Sequence, residues 1–115
     1  MIGREVYEGL RQDVGAGNRG PFSYGILVPK YWMRQLGAME AAVLVNLIGF
    51  LSRHCDEEGW AQIHHRHMEL DFGPESLAAY DHLLERGLVN EEFRHDLRWV
   101  RVHVDKVYEA LELQS

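Results

Sequence analysis

The sequence predicts a single α+β domain, mainly helical, with a three-helix core, a β-hairpin after it and an extra helix at the C-terminus. Three observations predict this. Residues Ala38 to Leu51 form a helical pattern that is apolar on nearly every side. The Gly73-Pro74 break opens another helical pattern, which Gly87 closes. Val100, Val102 and Val104 then alternate with Trp99, Arg101 and His103, the two-residue period of a strand.

The elements follow in chain order. Residues 4–12 suit a short helix with Val6 and Leu10 at helical spacing, and Asp13 to Gly20 reads as a glycine-rich arm. Pro29 has the fixed φ of a first helical position and starts a helix to Leu36, ended by Gly37. Ala38 to about His54 is the central helix, whose thin polar stripe is Asn46, Gly49 and Arg53. Asp56-Glu57-Glu58-Gly59 breaks it, and Trp60-Ala61-Gln62 suits a short strand. Helices are expected over 63–71 and from Pro74 to Arg86, the latter with Leu77, Tyr80, Leu83 and Leu84 on its apolar face. Strands are expected over 88–93 and 97–104, and a last helix over 105–113. This divides the chain into an arm with a short helix (1–21), a domain (22–104) and a C-terminal helix (105–115).

Composition is that of an ordinary globular chain, with 46% hydrophobic and 26% charged residues. Cys55 is the single cysteine, so no internal disulfide forms and a reducing, cytoplasmic location is expected. The first twenty residues lack an apolar signal region, and Ala38–Leu51 is too short to span a bilayer, so no membrane association is expected. The net charge of −6 opposes simple electrostatic DNA binding. The charge is unevenly spread: residues 1–36 and 94–104 are each +2, while 37–73 and 74–93 are each −4.

From about Phe22 to Val104 the order of helix, short strand, helix, tight turn, helix and hairpin resembles the winged helix-turn-helix domain. MELDFGPESLAAYDHLLERGLV, with its Leu83-Leu84-Glu85-Arg86-Gly87-Leu88-Val89 ending, is similar to the helix-turn-helix of bacterial regulators and of phage and plasmid replication initiators. Tyr24-Gly25-Ile26-Leu27-Val28-Pro29 and Gly59-Trp60 resemble the same initiators. Glu69 departs from the pattern, standing where the family carries a small residue.

The resemblance implies a DNA-binding role in transcription regulation or DNA replication, with duplex DNA as partner and Pro74–Arg86 as the recognition helix. A homodimer would set two such helices about a two-fold axis. On this reading the exposed recognition face holds Glu75, Ser76, Ala79 and His82, with Asp81 nearby. It lacks the Arg, Lys, Asn or Gln that bind base edges bidentately. Ser76, Ala79 and His82 are the candidate contacts there. Arg94, His95 and Arg98 at the hairpin tip and Arg19 in the arm are candidates for phosphates or the minor groove, the plainer alternative being that the arginines are solubilising and pair with Glu91, Glu92 or Asp96. The alternative is a protein-interaction module whose acidic helix docks on a basic partner.

Other constellations are weaker. His64 and His67 lie three apart, and Asp71 follows four residues later, a spacing compatible with zinc. No fourth ligand stands out, and a solvated polar helix face is the plainer reading, so no cofactor or metal is expected. GAGNRG lacks the Lys-Ser/Thr ending of a phosphate-binding loop, and Cys55 beside His54 is not by itself a catalytic dyad. The chain is not expected to be an enzyme. Trp99 falls on the outward face of its strand, where the C-terminal helix or another subunit could cover it.

Overall fold

The computed structural model describes residues 4–14, 17–18, 26–64 and 73–111. Among these the chain forms helices α1 (Arg4–Val14), α2 (Lys30–Leu36), α3 (Ala38–His54), α4 (Glu75–Glu85) and α5 (Val104–Ala110). The strands are β1 (Gly17–Asn18), β2 (Ile26–Leu27), β3 (Ala61–Gln62), β4 (Val89–Arg94) and β5 (Leu97–Val102). The architecture is α+β and mainly helical. β1 and β2 pair with each other, and a three-stranded antiparallel sheet has the order β3-β5-β4.

The most apolar sequence takes the central position. Helix α3 touches α1, α2, α4, β1, β2 and β5. Its Leu44, Leu47, Ile48 and Leu51 are buried, each contributing about 1.5–3 kcal/mol of hydrophobic stabilisation. No single helix among the described residues is long and apolar enough to cross a membrane.

Several boundaries differ from the sequence expectation. Pro29 is extended, with φ −61° and ψ 138°, and caps α2 instead of opening it. Val104 ends the strand alternation and starts α5, because the His103 ring nitrogen accepts from the Lys106 N–H and caps that helix. Of the helix expected over 63–71, Ile63 instead extends the sheet by donating its N–H to the Arg98 carbonyl, and 65–71 lie outside the described residues. In the segment read as an arm, Gly17 and Asn18 pair with Leu27 and Ile26.

Gly37 makes the junction between α2 and α3, which are bent by 117°. Its φ of 104° with ψ 148° is a region that is essentially restricted to glycine. A Cβ there would also lie 2.5 Å from Glu40 Oε1. Gly37→Ala is therefore expected to cost about 1–3 kcal/mol, read by chemical denaturation. A loss below about 0.5 kcal/mol would show that the junction relaxes freely.

Helix α1 joins the same core through Tyr7, which is fully buried. In the β3–β5 ladder Ala61 faces Val100, so the next rung on the same side would join Gly59 to Val102. The Tyr7 hydroxyl fills that rung. It donates to the Gly59 carbonyl at 2.8 Å and accepts from the Val102 N–H at 3.3 Å. One side chain thus ties the N-terminal helix to the sheet.

Candidate functional site

The candidate surface combines α4 with the hairpin that follows it. Gly73 adopts φ 86°, and Pro74 (φ −65°, ψ −24°) leads into α4. The N–H and hydroxyl of Ser76 both donate to the Gly73 carbonyl. At the other end Gly87, with φ 73°, turns the chain into β4.

The orientation of α4 corrects the expected recognition face. Ser76 is 0% and Ala79 3% exposed, so neither presents a side chain to a partner. The buried stripe is Ser76, Ala79, Tyr80 and Leu83, which recur at helical spacing and pack towards α3. Leu77 and Leu84, expected on the apolar face with Tyr80 and Leu83, are half-buried on the flanks. The physical reason is size: small side chains at the crossing let two helices approach closely, so polarity alone misplaces them. The exposed side of α4 carries Glu75, Ala78, Asp81, His82, Glu85 and Arg86. That surface is acidic until its last residue.

His82 is exposed, as expected, and its Nδ1 lies 2.7 Å from Glu40 Oε2 in the first turn of α3. The hydrogen bond from His82 holds the Glu40 carboxyl below its ordinary range, and the same bond raises the His82 imidazole. The pair links α4 to α3.

The hairpin turns on two residues, His95 and Asp96, because Arg94 pairs directly with Leu97. Both turn residues have positive φ, 52° and 64°, as a two-residue hairpin twisted to match its strands requires. His95 is therefore exposed at the tip, as expected.

The arginines behind the tip are engaged within the chain. On the outward face of the sheet, Arg94 lies 4.6 Å from the Trp99 ring centroid and 5.4 Å from that of Trp60. Its Nε donates to Glu92, and Asp56 lies 3.9 Å away. Arg101 lies 4.8 Å from the same Trp60 ring and donates to Asn90. Trp99 thus keeps its outward position, and the cover over it is a guanidinium of its own hairpin.

The opposite face carries a relay from α4 to the tip. Buried Tyr80 donates to Glu91 Oε2 at 2.6 Å, and that oxygen lies 3.2 Å from Arg98 Nε. Arg98 in turn sits 5.2 Å from the Phe93 ring centroid. Phe93 is 60% and Leu97 42% exposed, the large apolar side chains that the tip leaves to solvent.

The remaining expectations fall elsewhere. Arg19, His67 and Asp71 lie outside the described residues, while His64 is exposed. No group of three His, Cys, Asp or Glu side chains is placed to hold a metal among the described residues. Cys55 caps α3 and is half-buried, and burial raises its thiol.

Sequence reasoning passed over Tyr7 and Glu40, and it names Glu91 as a partner of the arginines but not of Tyr80. Tyr7 lies three residues before Leu10 and so had a helical spacing available to it. The Glu40–His82 and Glu91–Tyr80 contacts carry no local signal, because the partners lie 42 and 11 residues apart. Comparison with protein-family models, curated proteins and solved structures gives no match for this chain.

Proposed function

We propose that this chain is a winged-helix-type binding module and that the exposed side of α4 docks on a basic protein surface. The observation that carries this reading is the composition of that side. Glu75, Asp81 and Glu85 project to solvent, and Ser76 and Ala79 are withdrawn from it. Three carboxylates on a helix would repel phosphates in a major groove and attract lysines and arginines. Hairpin chemistry supports the same reading, since Arg94 and Arg98 face carboxylates of their own hairpin. The order of α2, α3, β3, α4 and the β4–β5 hairpin supports the winged-helix class.

The test uses a fluorescent Lys/Arg-rich peptide as a stand-in for the basic surface, followed by anisotropy. Glu75→Lys with Asp81→Lys should abolish binding while the circular dichroism stays unchanged. Glu57→Lys with Glu58→Lys, which changes the net charge equally in the loop after α3, should preserve most of it. Equal loss in both double variants would mean the peptide reads net charge and would overturn the reading.

One observation favours a second reading, duplex DNA contacted through the hairpin. The tip presents His95 and the exposed Phe93 and Leu97, with Arg94 and Arg98 immediately behind. On this reading the protein acts as a transcriptional regulator or replication-initiator domain. A mobility shift on mixed duplex DNA at low salt should then weaken with salt and vanish with Arg98→Glu. Absence of a shift at micromolar protein would remove the DNA reading.

A further inference from the structure

We propose that His82 is a proton-gated hydrogen-bond acceptor on the docking side of α4, taking an N–H from a lysine or arginine of the basic partner. The inference rests on the proposed docking of α4. It adds the contact that orients the partner and the condition that releases it.

The chemistry starts with Glu40 in the first turn of α3. Its Oε1 rests over Gly37, where an added Cβ would lie only 2.5 Å away, so the bare glycine leaves room for the carboxylate. An ionised carboxylate only accepts hydrogen bonds. The His82 Nδ1, 2.7 Å from Glu40 Oε2, therefore carries the proton of the neutral ring. The second nitrogen, Nε2, is then a lone-pair acceptor. It stands on the far side of the ring from Glu40, and among the described residues nothing bonds it. The His82 side chain is 57% exposed against 20% for Glu40, so the carboxylate sets the ring from beneath while the ring meets solvent. Glu40 is a positioning residue for that acceptor.

The neighbours of His82 decide what it accepts from. Asp81 and Glu85 share the exposed side of α4 and draw a cationic side chain towards it. A lysine or arginine brought there meets the Nε2 lone pair. Proton uptake at Nε2 turns that acceptor into a donor and sets a positive charge against the arriving cation, so the partner leaves. The charged groups facing the pair are Asp81, Glu85 and Arg86 of α4, with Lys106 of α5 beside Gly87. The bond to Glu40, with the Glu85 and Asp81 carboxylates, raises the imidazole above its ordinary 6.5, so binding begins to weaken within the physiological range.

A Lys/Arg-rich peptide without histidine tests this by anisotropy on the full chain at about pH 8 and about pH 5.5. The parent should bind about tenfold more weakly at the lower pH, the effect of one hydrogen bond to a charged group. His82→Gln takes up no proton in this range and should bind nearly equally at both. His95→Gln, at the exposed hairpin tip, should keep the parent's dependence, which separates His82 from the general charging of histidines. Glu40→Gln retains an acceptor for Nδ1 without the charge. It should bind as the parent does at the higher pH, with the weakening moved to lower pH. Nitrogen NMR of the parent at the higher pH should show the His82 ring protonated on Nδ1 and bare on Nε2. A parent that binds equally at both pH values, a His82→Gln variant that keeps the dependence, or a ring protonated on Nε2 would each overturn the proposal and leave the docking of α4 standing. Absence of peptide binding by the parent at the higher pH would overturn both.

Discussion

Replacing Tyr7 by Phe is expected to lower the unfolding free energy by about 2–4 kcal/mol, a large effect for the loss of one oxygen atom. The ring would still fill its place among buried side chains, so little of the loss is hydrophobic. The loss comes from the rung that the hydroxyl completes. Without it the Gly59 carbonyl and the Val102 N–H face each other across a gap shaped for an oxygen, and each buried group left unpaired costs about 1–3 kcal/mol. Chemical denaturation measures the total, and hydrogen exchange at Val102 localises it. Tyr31→Phe is the control, since Tyr31 is half-buried and touched by Arg34 from its own helix. A loss below about 1 kcal/mol in Tyr7→Phe would mean that water or strand closure replaces the rung.

The contrast between Tyr7 and α3 shows what a sequence carries. The run Ala38–Leu51 announces a buried helix because its periodicity is local, and it forms over Ala38–His54. The hairpin is announced in the same way by Val100 and Val102. Tyr7 contacts partners 52 and 95 residues away, and nothing near it records them.

The face of α4 is an intermediate case. Its periodicity is local, but the stripe that turns inward is chosen by the helix it meets. Close approach to α3 favours Ser76 and Ala79 over the larger Leu77 and Leu84. The candidate surface was thus legible in its location and misjudged in its rotation. Arg94 and Arg98 are legible as residues at the tip, and so is their pairing with Glu92 and Glu91, but their stacking on Trp99 and Phe93 depends on strand register. Register is a property of two segments together.

Alkaline pH should unfold this protein more readily than a globular chain with exposed tyrosines. Burial pushes the Tyr7 phenol up to about 12 from its ordinary value of 10.0. Burial, then the hydrogen bond to the Glu91 carboxylate, raises Tyr80 further still. Both groups hold their protons more tightly folded than unfolded. Their contribution is fully present below about pH 10, and it drains away as pH rises through the folded values. For Tyr7 a proton held about two pH units more tightly corresponds to roughly 2–3 kcal/mol. Tyr80 adds to this in the same direction, as does the raised Cys55 thiol. Unfolding free energy should therefore fall steeply between about pH 9.5 and pH 12. Phenolate absorbance from Tyr7 and Tyr80 should appear together with the loss of folded circular dichroism. Tyr7→Phe, although weaker at neutral pH, should show a visibly shallower decline because one of the two phenolic protons is gone. Equal slopes in parent and variant would mean that Tyr7 ionises without unfolding the chain, and its hydroxyl would then be no structural rung.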